Sequence, residues 1–356
     1  MTYPFPPPLE YIPSGTTAFT GPLTFPNHRY LFLATFILLL FVTKCAISLQ
    51  MNHTIITPDE IVYGNTAKQF SIKHLADFSL YLPIPFFLDY HQTLLVNCLL
   101  TSLCAIPVFY IFLRHHSERK AALLTALVML APCLWLFSLV NMTEAMLFLV
   151  VLVAAWNPTK EIDLQWLKFH PLDWLSPLVK PIGLPVVLAR YKNGPYLALG
   201  LGLVFAILFY GQPPSNPILN LILALWRSAS YLFIATAGMV GFLIYRYFTT
   251  GLDEDDWFAL MLTVTTFALV FPTAIRIPFE SFYGRYFDAA GLVILTTALK
   301  PIEKGRKFIL FTGLVAFLAI AYVVMFPFHS LLDSGAMLFT DVVKNALYSA
   351  HVLAGS

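Results

Sequence analysis

Two adjacent carboxylates, Asp59 and Glu60, follow the first long apolar stretch of the chain. A carboxylate at an apolar surface is costly unless it is solvated or used. One use is general-base catalysis, in which the carboxylate takes a proton from an attacking hydroxyl group. Pro58 precedes the pair, however, and acids after a proline are also typical of a helix N-terminus, where they stabilise the helix dipole. Taken alone, the pair fits the helix terminus better than the catalytic base.

A lysine, Lys180, interrupts the apolar stretch 174–190, which also contains three prolines and a glycine. Proline removes backbone hydrogen bonds, and at membrane depth such breaks are tolerated only inside protein or beside water. The stretch 172–189 is therefore predicted to be a re-entrant or half-spanning element that faces a cavity. The ammonium group of Lys180 either extends to the membrane surface or faces that cavity, where it would hold a phosphate as a point charge.

A loop rich in aromatic residues, 276–288, contains two arginines, Arg276 and Arg285, and the neighbouring Tyr286. A guanidinium group can bind a phosphate through two parallel N–H bonds. Basic and aromatic residues are also enriched at membrane interfaces without any binding role. Both interpretations of this loop stay open.

Three further side chains are candidates for substrate binding. Glu144 ends the turn Asn141-Met142-Thr143-Glu144, and its simpler interpretation is an acid in the first turn of a helix. Tyr63 follows the acidic pair, and His91 lies at the end of the same loop. Most isolated histidines are structural, so His91 is the weaker candidate.

The composition restricts the class of protein. Hydrophobic residues make up 58% of the 356 residues and charged residues 11%, against roughly 45–50% and ~25% in soluble domains. These values exclude a soluble globular protein and a disordered one. The formal charge of +2 is small and dispersed, so no nucleic-acid partner is indicated. The cysteines show no CxxC spacing and are expected to pack in helices, and no metal site is expected: Cys45, Cys98, Cys104 and Cys133.

The elements that position the candidates are expected to be membrane helices. The chain is predicted to be all-α and polytopic, with about 8–10 membrane segments of ~20 residues at full length. We divide it into a proline-rich tail (1–28), a membrane domain (29–326) and a C-terminal extracytoplasmic segment (327–356). The hydrophobic runs are 30–49, 92–113, 121–140, 143–156, 174–190, 196–210, 218–246, 257–274, 287–299 and 308–326.

Lysine and arginine bias predicts the orientation of these segments, since short basic loops stay in the cytoplasm. The basic loops 114–120, 190–192 and 300–307 are assigned to the inside. Loop 50–91, with an interfacial helix from 58 to 75, and the turn at Asn141 then lie outside. Two other charged features are expected to be passive. Lys44 should extend from the first helix to the membrane surface, and the acidic run 253–256 should be a solvated loop.

The order of four of these motifs resembles the polytopic GT-C glycosyltransferases over residues 30–300. The motifs are Asp59-Glu60, Asn141-Met142-Thr143-Glu144, Lys180-Pro181-Ile182-Gly183-Leu184 and Gly284-Arg285-Tyr286. That superfamily includes protein O-mannosyltransferases, aminoarabinose transferases and GPI mannosyltransferases.

The resemblance implies an inverting sugar transfer from a polyprenyl-phosphate donor on the extracytoplasmic face, without metal or cofactor. Asp59 would be the base, with Glu60 beside it holding the acceptor or donor. Lys180 and Arg285 would lie near the donor phosphate. The chain is shorter than many members, so the acceptor stays open between a lipid-linked molecule, a glycan and a protein.

Two other classes compete with the enzyme. A membrane transporter or lipid flippase would also place charges in a membrane cavity, but at mid-depth. A non-catalytic membrane subunit would tolerate the loss of Asp59. In every case the chain is expected to be a multi-pass protein of the plasma membrane, or of the endoplasmic reticulum if eukaryotic.

Overall fold

The computed structural model describes the chain between residues 27 and 299, with gaps. The described residues are 27–50, 79–156, 162–164, 167–169, 171–209, 216–236, 238–249, 251–275 and 284–299. They are predominantly helical, as the long apolar runs predict. One antiparallel hairpin, β1 (Ile162–Leu164) and β2 (Leu167–Phe169), pairs Ile162 with Phe169 and is an addition to the predicted all-α fold.

The α-helices are listed here once, in chain order. They are α1 (Asn27–Gln50), α2 (Pro83–Phe87), α3 (Tyr90–Leu103), α4 (Ala105–Leu113), α5 (Glu118–Val128), α6 (Pro132–Leu136), α7 (Glu144–Trp156), α8 (Leu175–Val179), α9 (Leu184–Leu188), α10 (Gly194–Phe209), α11 (Pro217–Ala235), α12 (Met239–Thr249), α13 (Glu254–Val270) and α14 (Asp288–Ala298). Short 3₁₀ helices occupy Pro181–Gly183, Phe271–Ile275 and Gly284–Phe287.

Among the described residues, three helical segments are long and apolar enough to cross a membrane. They are Leu31–Gln50, Tyr90–Leu113 and Glu254–Ile275. The other apolar helices are shorter, and α7 has 13 residues, in agreement with the short run 143–156. The large apolar side chains of α1 that are exposed, such as Leu38 and Leu39, are suited to contact with lipid.

Proline and glycine divide several of the predicted runs. Pro107 cannot donate a backbone hydrogen bond to Leu103, and α3 ends there before the chain continues as α4. The run 218–246 is not one segment but two helices, α11 and α12. Gly238 lies between them with φ of 82°, a conformation that ends helices and that glycine adopts without strain.

Helix α7 lies in the centre of the fold. It packs against α3, α4, α8 and α14, and Phe148 and Val151 are among its buried side chains. Helix α10 packs closely on α13, because Gly202 lets the backbones meet: a Cβ there would lie 2.3 Å from the carbonyl oxygen of Leu269. The candidate side chains described below lie near the two ends of this central helix.

Candidate functional site

The broken segment 172–189 contains the first element of the site. Helix α8 ends at Val179, and Lys180 adopts an extended conformation (φ −157°, ψ 137°) before the 3₁₀ turn Pro181–Gly183. Proline disfavours the helical conformation in the residue before it, which explains the break at Lys180. Gly183 then packs directly on α8, since a Cβ there would meet the carbonyl oxygen of Ser176 at 2.3 Å.

The side chain of Lys180 forms an ion pair with Glu144, the first residue of α7. The Lys180 side chain is 14% exposed and that of Glu144 is 3% exposed. The hydroxyl of Thr143 donates a 3.2 Å hydrogen bond to the second carboxylate oxygen of Glu144. Two candidates that the sequence identified separately thus lie in contact, in a site that is partly open on the lysine side.

A buried hydrogen-bond network lies at the same end of α7. The hydroxyl of Tyr81 donates to Oδ1 of Asn141 at 2.6 Å. The amide of Asn97 donates to the Tyr81 hydroxyl at 3.0 Å and to the Val140 carbonyl at 2.8 Å. Tyr81 and Asn97 are completely buried. The network fixes the turn that begins at Asn141 and ends at Glu144.

The end of loop 50–91 is attached beside Lys180. The amide of Leu80 donates to the carbonyl of Leu178 at 2.9 Å, and the hydroxyl of Ser79 donates to the carbonyl of Val179. The described part of the loop that carries the acidic pair is therefore anchored next to the lysine. Asp59, Glu60 and Tyr63 themselves lie outside the described residues.

Sequence reasoning did not identify Ser79, Tyr81 or Asn97. The sequence does mark Asn97 as unusual, because it is a polar residue inside the apolar run 92–113. A buried amide in such a run needs hydrogen-bond partners. The sequence shows that need but not the partners, which are the Tyr81 hydroxyl and the Val140 carbonyl.

The remaining predicted site residues belong to other segments than the Lys180–Glu144 pair. His91 is exposed at the start of α3, with its ring 6.1 Å from that of Tyr90. Tyr286 is half-buried and packs on the core from the 3₁₀ turn Gly284–Phe287. Arg285 lies in the same turn, but its side chain is outside the described part, as is the whole of Arg276.

A second buried carboxylate, Asp288, follows this turn. It begins α14, is 1% exposed, and accepts a hydrogen bond from the hydroxyl of Tyr231. Asp288 entered the sequence prediction only as the last residue of loop 276–288. Its burial could not be read from the sequence, because it depends on how α11 packs against α14.

The opposite end of α7 is held by a different set of charges. Arg190 contacts both carboxylate oxygens of Asp173, at 2.9 and 3.3 Å, and donates to the carbonyl of Ala154 at 2.7 Å. Its guanidinium also lies 3.9 Å from the ring centre of Phe258. The two ends of segment 173–190 therefore meet at one end of α7, while Lys180 contacts Glu144 at the other. Those positions are about 15 Å apart along the helix.

Two expectations about charged residues are wrong. The run 253–256 is not a solvated loop: Asp253 caps the N-terminus of α13, and Asp256 is completely buried and pairs with Arg246. Lys44 does not extend to the surface. It is completely buried and donates to the hydroxyl of Thr101 at 3.0 Å and to the carbonyl of Leu134 at 3.1 Å. In both cases the buried charge has partners on another helix: the preceding helix for Asp256, and α3 and α6 for Lys44.

Anions are the ligands that a lysine side chain such as Lys180 can bind. Lys180 is a cation whose anionic partner comes from another element, so a phosphate of suitable shape could replace that carboxylate. Among the described residues, no group of three histidine, cysteine or acidic side chains is arranged to hold a metal ion. No known family model, curated protein or solved structure matches the chain.

Proposed function

We propose that the protein is a multi-pass membrane glycosyltransferase that moves a sugar from a polyprenyl-phosphate donor to an acceptor hydroxyl on the extracytoplasmic face. The observation that carries the proposal is the Lys180–Glu144 pair at the break in segment 172–189. It is a half-buried cation beside the anchored end of the loop that carries Asp59 and Glu60. The resemblance of the ordered motifs to the GT-C glycosyltransferases supports the same reaction.

The proposed topology places the Glu144 end of α7 outside and the Trp156 end inside. Basic loops favour this arrangement, because Arg114 and Arg190 both lie at the Trp156 end, where they donate to the carbonyls of Trp156 and Ala154. Segment 172–189 is then a re-entrant element that starts and ends inside and presents Lys180 towards the outer side. The Asp173–Arg190 contact, which joins its two ends, supports this path.

In the proposed reaction, Asp59 accepts the proton of the acceptor hydroxyl while its oxygen attacks the anomeric carbon. The bond between that carbon and the phosphate oxygen breaks, and the polyprenyl phosphate leaves. A phosphate leaving group needs cations rather than an acid, since its negative charge grows in the transition state. Lys180 supplies one cation after exchanging Glu144 for the phosphate, and Arg285 supplies the second.

Glu60, Tyr63, His91, Arg276 and Tyr286 complete the proposed substrate site. Glu60 orients the acceptor or the donor, and the others line the path of the sugar and phosphate. The donor and the lipid bilayer are the partners on this proposal. The acceptor is a lipid-linked molecule, a glycan or a protein.

The decisive experiment compares sugar transfer by the parent and by Asp59→Asn, purified and given a polyprenyl-phosphate sugar. Loss of a general base should lower turnover by at least ~10²-fold. Asp89→Asn is the matched control, because Asp89 caps α3 at the end of the same loop and asparagine caps equally well. Parental turnover in a folded Asp59→Asn protein would remove Asp59 from its role.

A second arm tests the cations. Arg285→Lys keeps the charge but loses the bidentate geometry, so it should weaken donor binding if Arg285 grips the phosphate. An arginine that merely belongs to an interfacial belt accepts lysine with little effect. Normal donor affinity and turnover in Arg285→Lys would contradict the assignment of the phosphate site.

A lipid flippase is the second candidate, and the buried Asp288–Tyr231 pair favours it. A carrier places its ionisable residues deep in the fold rather than at one surface. Fluorescent phospholipid or polyprenyl phosphate in liposomes would measure translocation directly. Translocation that Asp288→Asn abolishes and Asp59→Asn leaves intact would favour the flippase over the transferase.

A further inference from the structure

A groove of about 420 Å³ lies at the Trp156 end of the fold, between α1, α4 and α5. Phe32 and Phe109 form two of its sides, and Ala122 and Ala126 line it from α5. These alanines are one helical turn apart, so both lie on the same face and leave the space that larger side chains would fill. The groove is half-open and lined mainly by apolar surface, and its volume is in the range of small-ligand sites.

Charged residues lie at one end of this groove. Arg119 lines it, and Lys120 follows; both side chains are exposed. Neither makes an ion pair with any residue in the described part of the chain. Glu118 also lines the groove, but it is engaged in an interaction within the protein. Arg119 is therefore a cation in the groove lining that no described residue neutralises.

The backbone adds a further positive contribution at the same place. Helix α5 begins at Glu118, and the preceding Ser117 makes no side-chain hydrogen bond that caps it. The first N–H groups of α5 and the positive end of its dipole thus lie beside Arg119 and Lys120. An anion bound here would accept hydrogen bonds from N–H groups that the Ser117 side chain does not cap.

The apolar part of the groove continues along the helix surface. Leu123 and Leu127 of α5 are 68% and 51% exposed and lie one helical turn apart, and Leu130, just after the helix, is 64% exposed. Leu31 and Phe32 of α1 are also exposed. Along this surface, a cation is followed by the apolar groove and then by exposed leucines. A ligand with a negatively charged head and a long apolar chain matches that arrangement.

We propose that the groove between α1, α4 and α5 binds one anionic phospholipid, with its phosphate at Arg119 and an acyl chain beside Ala122 and Ala126. Basic pockets between membrane helices are known to hold anionic headgroups. The site lies at the opposite end of α7 from Lys180. The proposal requires only that these helices are embedded in a membrane, so it is independent of the transferase reaction.

Native mass spectrometry of the purified full chain in neutral detergent tests the proposal. Phosphatidylglycerol and phosphatidylcholine with identical acyl chains are titrated separately, and the fraction of protein with one bound lipid is measured. Phosphatidylglycerol should bind at least tenfold more tightly. Equal affinity for the two lipids would overturn the proposal, as would equally tight binding of glycerol 3-phosphate, which has the phosphate without the chain.

Two variants of the groove and two controls locate the site. Arg119→Gln should weaken phosphatidylglycerol binding by about fivefold, since a juxtamembrane cation contributes ~1 kcal/mol. Ala126→Leu should weaken both lipids by filling the groove. Lys192→Gln removes an exposed cation elsewhere, and Gly200→Leu adds bulk at a position whose Cβ meets nothing within 4 Å. Equal losses in the controls would contradict a defined site.

Discussion

Two lysines, Lys44 and Lys180, interrupt apolar stretches of the chain, and they differ in their partners and in their exposure. The difference distinguishes a lysine with a structural role from one with a proposed functional role. Lys44 is completely buried and donates to two uncharged oxygens, those of Thr101 and Leu134. Its Nζ also lies 5.4 Å from the ring centre of Trp135. Lys180 is partly exposed and pairs with a carboxylate, that of Glu144.

The comparison indicates that Lys180, rather than Lys44, is suited to exchange its protein partner for a ligand. The oxygens around Lys44 belong to α3 and α6, so the amine joins three helices and offers no open side to a ligand. On the proposed function, a donor phosphate replaces the carboxylate beside Lys180, whose side chain is 14% exposed. A charged partner also offsets the cost of burying the ammonium group, which uncharged oxygens and an aromatic ring do only in part.

The largest expected effect follows from breaking the Lys180 pair. Lys180→Met removes the ion pair with Lys180 from the Glu144 carboxylate, which is 3% exposed. Removal of one partner from a buried pair typically costs about 3–5 kcal/mol. We expect a loss of that size in the free energy of unfolding, measured by denaturant titration in mixed micelles.

A double variant then distinguishes the structural role of the pair from its functional role. Lys180→Met combined with Glu144→Leu removes both charges, so most of the lost stability should return. Sugar transfer should not return, because the cation for the phosphate is still missing. If the double variant transfers sugar at the parental rate, the pair is structural and the phosphate site lies elsewhere.

A smaller effect is expected at the other end of α7. Arg190→Lys keeps a charge beside Asp173 but loses the second N–H contact, the bond to Ala154 and the stacking on Phe258. Lysine is a poor substitute at a bidentate, stacked site, and we expect a loss of about 2 kcal/mol. The same denaturant titration measures it, with Lys192→Arg as the exposed control. A change below ~0.5 kcal/mol would show that Arg190 contributes only its charge.

The helical fold was largely predictable, and the contacts that form the site were not. Long apolar runs without alternation indicate helices, and Pro181 indicates the break at Lys180. Both are local signals, in which neighbouring residues determine the backbone. Gly238 was a local signal too, and reading the run 218–246 as one segment overlooked it.

The partners of charged residues depend on long-range packing. Lys180 and Glu144 are 36 residues apart, and their pairing requires the placement of α7 against the broken segment. The burial of Asp256 similarly depends on Arg246 from the preceding helix. A charged residue in an apolar run is expected to need a partner, but the sequence pattern does not identify the residue that serves as that partner. For that reason the predictions for Lys44 and for the run 253–256 were wrong.

The smallest effect should come from Lys44→Met. The substitution removes a buried cation that has no carboxylate partner among the described residues, and methionine fills a similar volume. The Thr101 hydroxyl loses the lysine as a donor but still donates to the carbonyl of Asn97 at 2.8 Å, whereas the Leu134 carbonyl loses the ammonium donor without such a bond of its own side chain. The cost of these lost hydrogen bonds is partly offset by the charge that no longer has to be buried, which leaves a net loss of about 1 kcal/mol. Transfer activity should equal that of the parent, because Lys44 has no accessible surface. The same micelle titration and transfer assay measure both quantities beside Lys180→Met. Loss of sugar transfer in a folded Lys44→Met protein would contradict the distinction between the two lysines. It would show that the completely buried Lys44 is also needed for the reaction.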